Sequence, residues 1–384
     1  MVTRFQAGLR LLVAFGAAAC GGISATPTGR SAAPVPNITP GVTASACAAD
    51  FDSTYAVITR DYAGYADRVR ESGSRINALT DSVRVEVQNA ATDSACTRAL
   101  QRWIAVFRER DHHLQLGRFR RGPAPAGQAP PATGAPAEDP RRPTIQFMDD
   151  STAVLRLGTF NMFYKAAIDS LIAVHRGRLL ATPYLVVDVR TNTGGATHSY
   201  ATVMSFIYSD PFRVEGMDVW ATDGNVAYYK AMLETADLPE SIKAEGRIAV
   251  PRLEANRGRF TTWDEDRTVR LDTVYPMPRR VAVLIAGLCA SSCEQFVLDA
   301  RQSRKVTVLG RQNTAGMVDY GNTRRVILPS GVRQIHMPTS RSRRLPERPM
   351  DYKGIAPDVP IPKDEPDALA FAIRYLKSAG DQKQ

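Results

Sequence analysis

Three apolar runs, rich in β-branched residues, constrain this chain more than anything else in it. Tyr184-Leu185-Val186-Val187-Asp188-Val189, Arg280-Val281-Ala282-Val283-Leu284-Ile285 and Val306-Thr307-Val308-Leu309-Gly310 are apolar almost without alternation. That is the pattern of strands buried on both faces. Such strands need a covering layer on each side, and the sequence between them supplies helices. Residues 162–181 read as a helix with Ile168, Leu171, Ile172 and Val174 on its apolar side. A helix through Tyr200, Val203 and Ile207 follows Gly194-Gly195, and another runs through Gln295, Phe296, Leu298 and Ala300. Ala153-Val154-Leu155-Arg156-Leu157 reads as a further strand. Strands alternating with helices predict an α/β fold with substantial parallel pairing.

The preceding segment has a different texture. Phe51, Tyr55, Ile58, Tyr62 and Tyr65 recur at steps of four and three, and Cys96, Leu100, Trp103 and Phe107 repeat the pattern. Both predict helices with an aromatic core face. The expected organisation is a helical domain at 46–117, a Pro/Ala-rich linker at 118–143 and an α/β domain at 144–378.

The N-terminus carries the marks of export. Arg4 and Arg10 precede Leu11-Leu12-Val13-Ala14-Phe15, small residues follow, and then Cys20. This reads as a signal peptide over 1–19 and a flexible tether over 20–45. Ala17-Ala18-Ala19-Cys20-Gly21-Gly22 resembles the bacterial lipoprotein cleavage box, with Ala17 where Leu is usual. It implies a lipid anchor on Cys20 and a place in the periplasm or cell envelope. Beyond Cys20, Cys47, Cys96, Cys289 and Cys293 remain, an even number that suits an oxidising compartment. Three pairings are open. Cys47 with Cys96 is the favoured one, and Cys289 and Cys293 either pair or stay free. The formal charge of +10 is spread along the chain. Without zinc-finger spacing, an RNP motif or a basic helix it does not indicate nucleic-acid binding, and an anionic envelope surface accounts for it as well.

Chemistry gathers where the strands end. Cys289-Ala290-Ser291-Ser292-Cys293-Glu294 follows a buried strand and opens a helix. A serine there projects from a strand-to-helix turn, with the first helical N–H groups beside it. Alone, the same residues read equally well as a helix N-cap. Asp188-Val189-Arg190-Thr191-Asn192-Thr193-Gly194-Gly195 resembles the D-x-R-x-N-x-G-G strand end of S41 serine peptidases. These include the C-terminal processing proteases, the tricorn core and the chlamydial protease-like activity factor. Val281 through Glu294 resembles their strand, nucleophile turn and helix. Asn313-Thr314-Ala315-Gly316, Leu328-Pro329-Ser330-Gly331 and Lys353-Gly354-Ile355-Ala356-Pro357-Asp358 resemble later signatures, in the family's order.

The resemblance implies a ClpP/crotonase-like α/β core preceded by a small helical domain, acting on peptides or proteins without metal or organic cofactor. It places the nucleophile on Ser291, with Ser292 as the local competitor. It places the oxyanion hole on backbone N–H groups at Gly194, Gly195 and Ser292. Processing proteases use a lysine base about 25 residues after the serine, where Gly316 stands here, so a Ser-Lys dyad is disfavoured. Asp111-His112-His113 resembles the D-x-H motif of the Ser-His branch, which makes His113 the base and leaves His112 at the variable position. His198, three residues past Gly195, is the alternative base. His175 and His336 read as surface or strand residues. The orienting acid maps to Asp351, with Glu347 as the alternative. The stretch where relatives often carry a PDZ domain is far too short for one. The implied function is an envelope serine endopeptidase with a Ser-His-Asp triad. The alternatives are a catalytically degenerate module of the same fold that binds peptides or apolar ligands, and a structural envelope lipoprotein.

Overall fold

Thr43 starts the first helix by accepting the Ala46 N–H on its hydroxyl. The computed structural model describes residues 43–107, 114–119, 139–235, 238 and 240–378, which belong to one unit beginning at Gly41. The signal peptide, Cys20, His112, His113 and most of the Pro/Ala stretch lie outside the described residues.

The described elements run α1 (Ala44–Asp61), α2 (Tyr65–Gln88), α3 (Asp93–Ile104), β1 (Gln115–Arg118), β2 (Thr144–Asp149), β3 (Thr152–Arg156), α4 (Lys165–Leu179), β4 (Tyr184–Asp188) and α5 (Ala201–Ile207). They continue with β5 (Phe212–Val214), β6 (Met217–Trp220), α6 (Asp223–Leu233), α7 (Glu240–Ala255), β7 (Phe260–Asp264), β8 (Arg267–Val269), β9 (Arg280–Ile285) and α8 (Ser292–Ala300). β10 (Val306–Gly310), β11 (Tyr320–Ile327), β12 (Arg333–Ser342), β13 (Val359–Pro360) and α9 (Ala368–Ser378) complete the order.

The three apolar runs lie side by side in a six-stranded sheet of order β13-β10-β9-β4-β3-β2, parallel except for β2 at its edge. Successive side chains point to opposite faces. Leu185, Val187, Val281, Val283 and Ile285 therefore join a core with residues of α4, α5 and α8. Val186, Ala282, Leu284 and Leu309 join another with Ala368, Ala372 and Leu376 of α9. Burial on both faces is why these strands carry no polar alternation, and each such side chain contributes about 1.5–3 kcal/mol. One expectation needs correction. Val174 is 75% exposed, whereas Ile168 and Ile172 are buried. It sits two residues beyond Ile172, about 200° around the helix and off the buried face.

The helical segment forms as expected. A disulfide joins Cys47 of α1 to Cys96 of α3. Phe51, Tyr62, Trp103 and Phe107 are buried, with Phe51 edge-on to Trp103. Their core also takes in Leu328, Ile335 and Met337 from the far end of the chain. Those residues lie at or beside a second, antiparallel sheet of order β1-β12-β6-β7, with β11 also pairing β12. Two buried aspartates of α1 secure this contact. Asp50 accepts from the backbone N–H and hydroxyl of Ser330 and from Arg333 Nη1 at 2.7–2.8 Å. Asp61 accepts from Arg60, Thr222 and Arg324. Burial pushes the Asp61 carboxyl up, but these partners outweigh it and hold it below the usual range.

Candidate active site

Adjacent parallel strands end on the same edge of a sheet, so the loops after β4, β9 and β10 meet. Backbone bonds tie them together. Ala290 N–H donates to Asn192 C=O at 3.3 Å, and Ala315 N–H to Cys289 C=O at 2.9 Å. The middle loop is the Ser291 turn.

Ser291 has φ 58° and ψ −121°, one of few non-glycine residues with positive φ. A serine held in that sparsely populated region stores strain of order 1–3 kcal/mol and needs surroundings that enforce it. Glu294 provides the enforcement. Fully buried, it accepts the Ser291 N–H at 3.1 Å, the Thr314 hydroxyl at 2.6 Å, and the Gly316 and Met317 N–H groups at 2.8 Å each. Burial pushes its carboxyl up and these donors pull against it. The sequence marked Glu294 as a first-turn acid; its reach to the 314–317 loop follows from tertiary placement. A disulfide between Cys289 and Cys293 closes around the same turn, which resolves the open pairing.

The glycine loop fits against Ser291 with no room to spare. A Cβ on Gly194 (φ 102°) would lie 2.7 Å from Ala290 C=O and 2.9 Å from Ser291 Cβ. On Gly195 it would lie 2.1 Å from Phe160 backbone. Asn192, fully buried, organises the loop by donating to Leu157 C=O at 3.0 Å and accepting the Gly194 N–H at 2.9 Å. The Gly194 N–H is thus engaged. Gly195 makes a parallel bridge to Phe160 through its neighbours, since Phe160 N–H donates to Gly194 C=O and Ala196 N–H to Phe160 C=O. Its own N–H points away from that contact and has no partner among the described residues. The Ser292 N–H, first in α8, likewise has none. Gly195, Ser291 and Ser292 line one cavity of about 480 Å³. The geometry therefore leaves Gly195 and Ser292, and not Gly194, with N–H groups free beside the Ser291 side chain.

Asp351 and Asp319 clasp each other's backbone. Asp351 Oδ1 accepts the N–H groups of Val318 and Asp319 at 2.8 and 2.7 Å, and Asp319 Oδ2 accepts those of Met350 and Asp351 at 2.6 and 2.8 Å. Burial, then the Asp351 charge, pushes Asp319 up to about 6, while the Asp351 and Met350 N–H donors, and then Arg344, draw it back. Arg344, itself buried, lies 3.8 Å from Asp319 and donates to Gln295 of α8 at 2.9 Å. Asp351 is 5% exposed and Glu347 is exposed. Through Val318, which lines the Ser291 cavity, Asp351 is brought to the edge of the site. Asp319 and Arg344 had no local signature in the sequence.

His198 lies in the turn Thr197–Tyr200 and lines the same cavity as Ser291. Burial, and then the Lys165 charge, lowers its pKa. His336 sits on β12 opposite Gln115, and His175 packs on Phe147; neither lines this cavity. His113 lies outside the described residues, but its described flanks converge on the site. Phe107 C=O accepts from Tyr352 Oη at 3.4 Å, next to Asp351. Gln115 lines a second cavity of about 630 Å³ with Thr193, Ala290 and Tyr352.

Among known proteins, the family model described as Peptidase family S41 matches residues 151–361, more than half of the chain. Mature CPAF superposes with a TM-score of 0.60 at 13% identity, covering 87% of this chain and 96% of that one. Mature CPAF complexed with lactacystin gives 0.59 at 13%, covering 88% and 97%. A putative peptidase from Parabacteroides merdae gives 0.54 at 16%, covering 88% and 99%. At such identities the superpositions show a shared fold. No curated protein matches.

Proposed function

This chain belongs to peptidase family S41, and from that premise we propose that it is a serine endopeptidase working through an acyl-enzyme. The observation that carries the proposal is Ser291. It stands at positive φ on a strand-to-helix turn, beside the N–H groups of Gly195 and Ser292, which have no partners among the described residues. That is the arrangement a tetrahedral oxyanion needs.

In the proposed reaction His113 takes the Ser291 proton as Oγ bonds to the scissile carbonyl carbon. The carbonyl electrons move to oxygen, which the Gly195 and Ser292 N–H groups stabilise. Collapse expels the amine, protonated by His113, and leaves an ester on Ser291. Water then attacks the ester and loses its proton to His113, which passes that proton to the departing Ser291 Oγ as the acid product is released. Asp351 orients the imidazole and offsets its charge. Chain connectivity supports His113 in this role. Gln115, two residues further along the sequence, shares a cavity with Ala290 and Tyr352.

A second assignment of the base has its own support. His198 already lines the Ser291 cavity, and its lowered pKa favours the neutral imidazole that a base requires. Labelling with a fluorophosphonate probe separates the two. With Ser291→Ala and His113→Ala both folded and both silent, the triad stands. Labelling lost in Ser291→Ala and in His198→Gln, but kept in His113→Ala, moves the base to His198. A silent wild type that also leaves casein intact returns the chain to the ligand-binding reading.

The proposed setting is the cell envelope, with a lipid anchor on Cys20. The two disulfides are what an oxidising compartment permits. No described helix is long and apolar enough to cross a membrane. Fractionation of cells expressing wild type and Cys20→Ala tests the anchor: loss of the variant from the membrane fraction is expected, and identical partitioning would remove it.

A further inference from the structure

The chain has a formal charge of +10, yet the wall of the Ser291 cavity is acidic. Its charged side chains are Glu215, Glu245, Asp264 and Arg267. Glu215 is already held by Arg348 and lies 3.6 Å from Arg344 Nε. Glu245 and Asp264 enter no hydrogen bond or ion pair through their side chains among the described residues. Burial raises both carboxyls, the Asp264 charge raises Glu245 further, and Arg267 offsets only part of this.

Beside these carboxylates the wall has an aromatic and aliphatic part. Tyr228, Tyr229, Trp263, Met217, Met232 and Ile242 contribute to it, with the Tyr229 and Trp263 rings 4.6 Å apart. A surface of that kind takes the methylene stem of a long side chain and the face of a guanidinium. Carboxylates without partners take its charged head. A purely apolar occupant would leave both carboxyls desolvated with only Arg267 to offset their charge.

An independent observation marks the cavity as a place for a ligand. Ser292 is only 5% exposed, lines the cavity, and its hydroxyl has no hydrogen-bond partner. A buried polar group in that condition calls for a partner from outside the chain.

We propose that this cavity selects peptides with an arginine or lysine side chain next to the scissile bond. Asp264 is the main specificity residue and Glu245 its companion. The proposal rests on the serine-peptidase reading and adds to it the class of substrate.

The test digests a mixed peptide library with the purified chain and reads the cleavage sites by mass spectrometry, with fluorophosphonate labelling run alongside. Cleavage sites enriched in Arg and Lys are expected. Peptides pairing arginine with citrulline, its neutral near-isostere, then give a specificity ratio. A charge-assisted contact predicts a wild-type kcat/KM ratio of at least about tenfold in favour of arginine. Asp264→Asn should lower that ratio about tenfold, and Asp264→Glu should restore part of it. Melting curves establish that the variants are folded; if Asp264→Asn does not fold, Glu245→Gln carries the same test. A wild type that labels and cleaves with a ratio near one, or a ratio unmoved in a folded Asp264→Asn, would overturn this proposal alone. A wild type that neither labels nor cleaves would overturn the peptidase reading and this proposal with it.

Discussion

Gly194→Ala is the sharpest test of the glycine loop. The new Cβ would lie 2.7 Å from Ala290 C=O and 2.9 Å from Ser291 Cβ, and Gly194 has a φ of 102° that alanine rarely adopts. Neither a carbonyl oxygen nor a Cβ can yield by side-chain rotation. The loop must therefore withdraw from the Ser291 turn, carrying the Gly195 N–H with it. Strain at one residue costs about 1–3 kcal/mol of stability, which a folded unit of this size survives. Loss of one oxyanion donor costs about 2.7–4 kcal/mol in the transition state, or about 10²–10³ in rate. A fluorophosphonate develops charge on its phosphoryl oxygen as Ser291 attacks, so its second-order labelling rate reads that loss without a known substrate. The expected outcome is a labelling rate down by about two to three orders of magnitude in a protein whose melting temperature falls only modestly. Labelling within threefold of wild type would refute the assignment of Gly195 to the oxyanion hole.

Further expectations follow from the buried charges and the disulfides. Asp299 is pushed up to about 6, chiefly by burial, and accepts from Tyr200 and Gln295. Its folded pKa exceeds its unfolded value, so the stability it adds is present below about pH 4 and is lost as pH rises through about 6. Melting temperature should therefore fall less steeply between pH 4 and 6 in Asp299→Asn; an unchanged slope would contradict this. Removing the Cys47–Cys96 bond frees a loop with sequence separation 49, and removing Cys289–Cys293 one of 4. Chain entropy assigns about 4 and about 2 kcal/mol to these, so the first pair should lower the urea midpoint more, whereas the second should chiefly slow Ser291 labelling. Equal midpoint shifts would count against that division. Asp50→Ala leaves Arg333 buried with Asp93 as its remaining carboxylate and should cost about 3 kcal/mol. In a double-mutant cycle with Arg333→Met the two losses should be less than additive, and simple additivity would show that the pair is not coupled.

The parallel sheet was legible because each of its central strands declares itself locally. Val281 through Ile285 needs no knowledge of its neighbours to read as a doubly buried strand. The Cys47–Cys96 pairing was legible for a related reason, since both cysteines lie on helix faces that share one core. The antiparallel sheet was not. β12 places Arg333, Thr339, Ser340 and Ser342 in the interior, and the partners that make this tolerable for Arg333, Asp50 and Asp93, lie more than 200 residues away. The Ser291 turn, the glycine loop and Asp351 were expected from ordered motifs. The sequence could not distinguish Gly194 from Gly195 as donors, because that depends on where the Asn192 side chain points. Nor could it announce Asp319 or the unpartnered pair Glu245 and Asp264, whose meaning arises only when separate strands and a helix enclose one cavity. Val174 shows the converse: an apolar residue in a helix is not thereby a core residue.

The core of the N-terminal helices is finished by Leu328, Ile335 and Met337, and their aspartates are neutralised by arginines of β11 and β12. A chain made from its N-terminus first presents α1 to α3 long before those partners exist. Until they arrive, the first block has an open apolar side and two carboxylates awaiting their cations. Contacts across so much intervening sequence form late. The partners of Phe107 and Gln115, which flank the proposed base, are Tyr352 and His336, and they are therefore available only after nearly the whole polypeptide has been synthesised. On the proposed mechanism, peptidase activity arrives as the last act of folding.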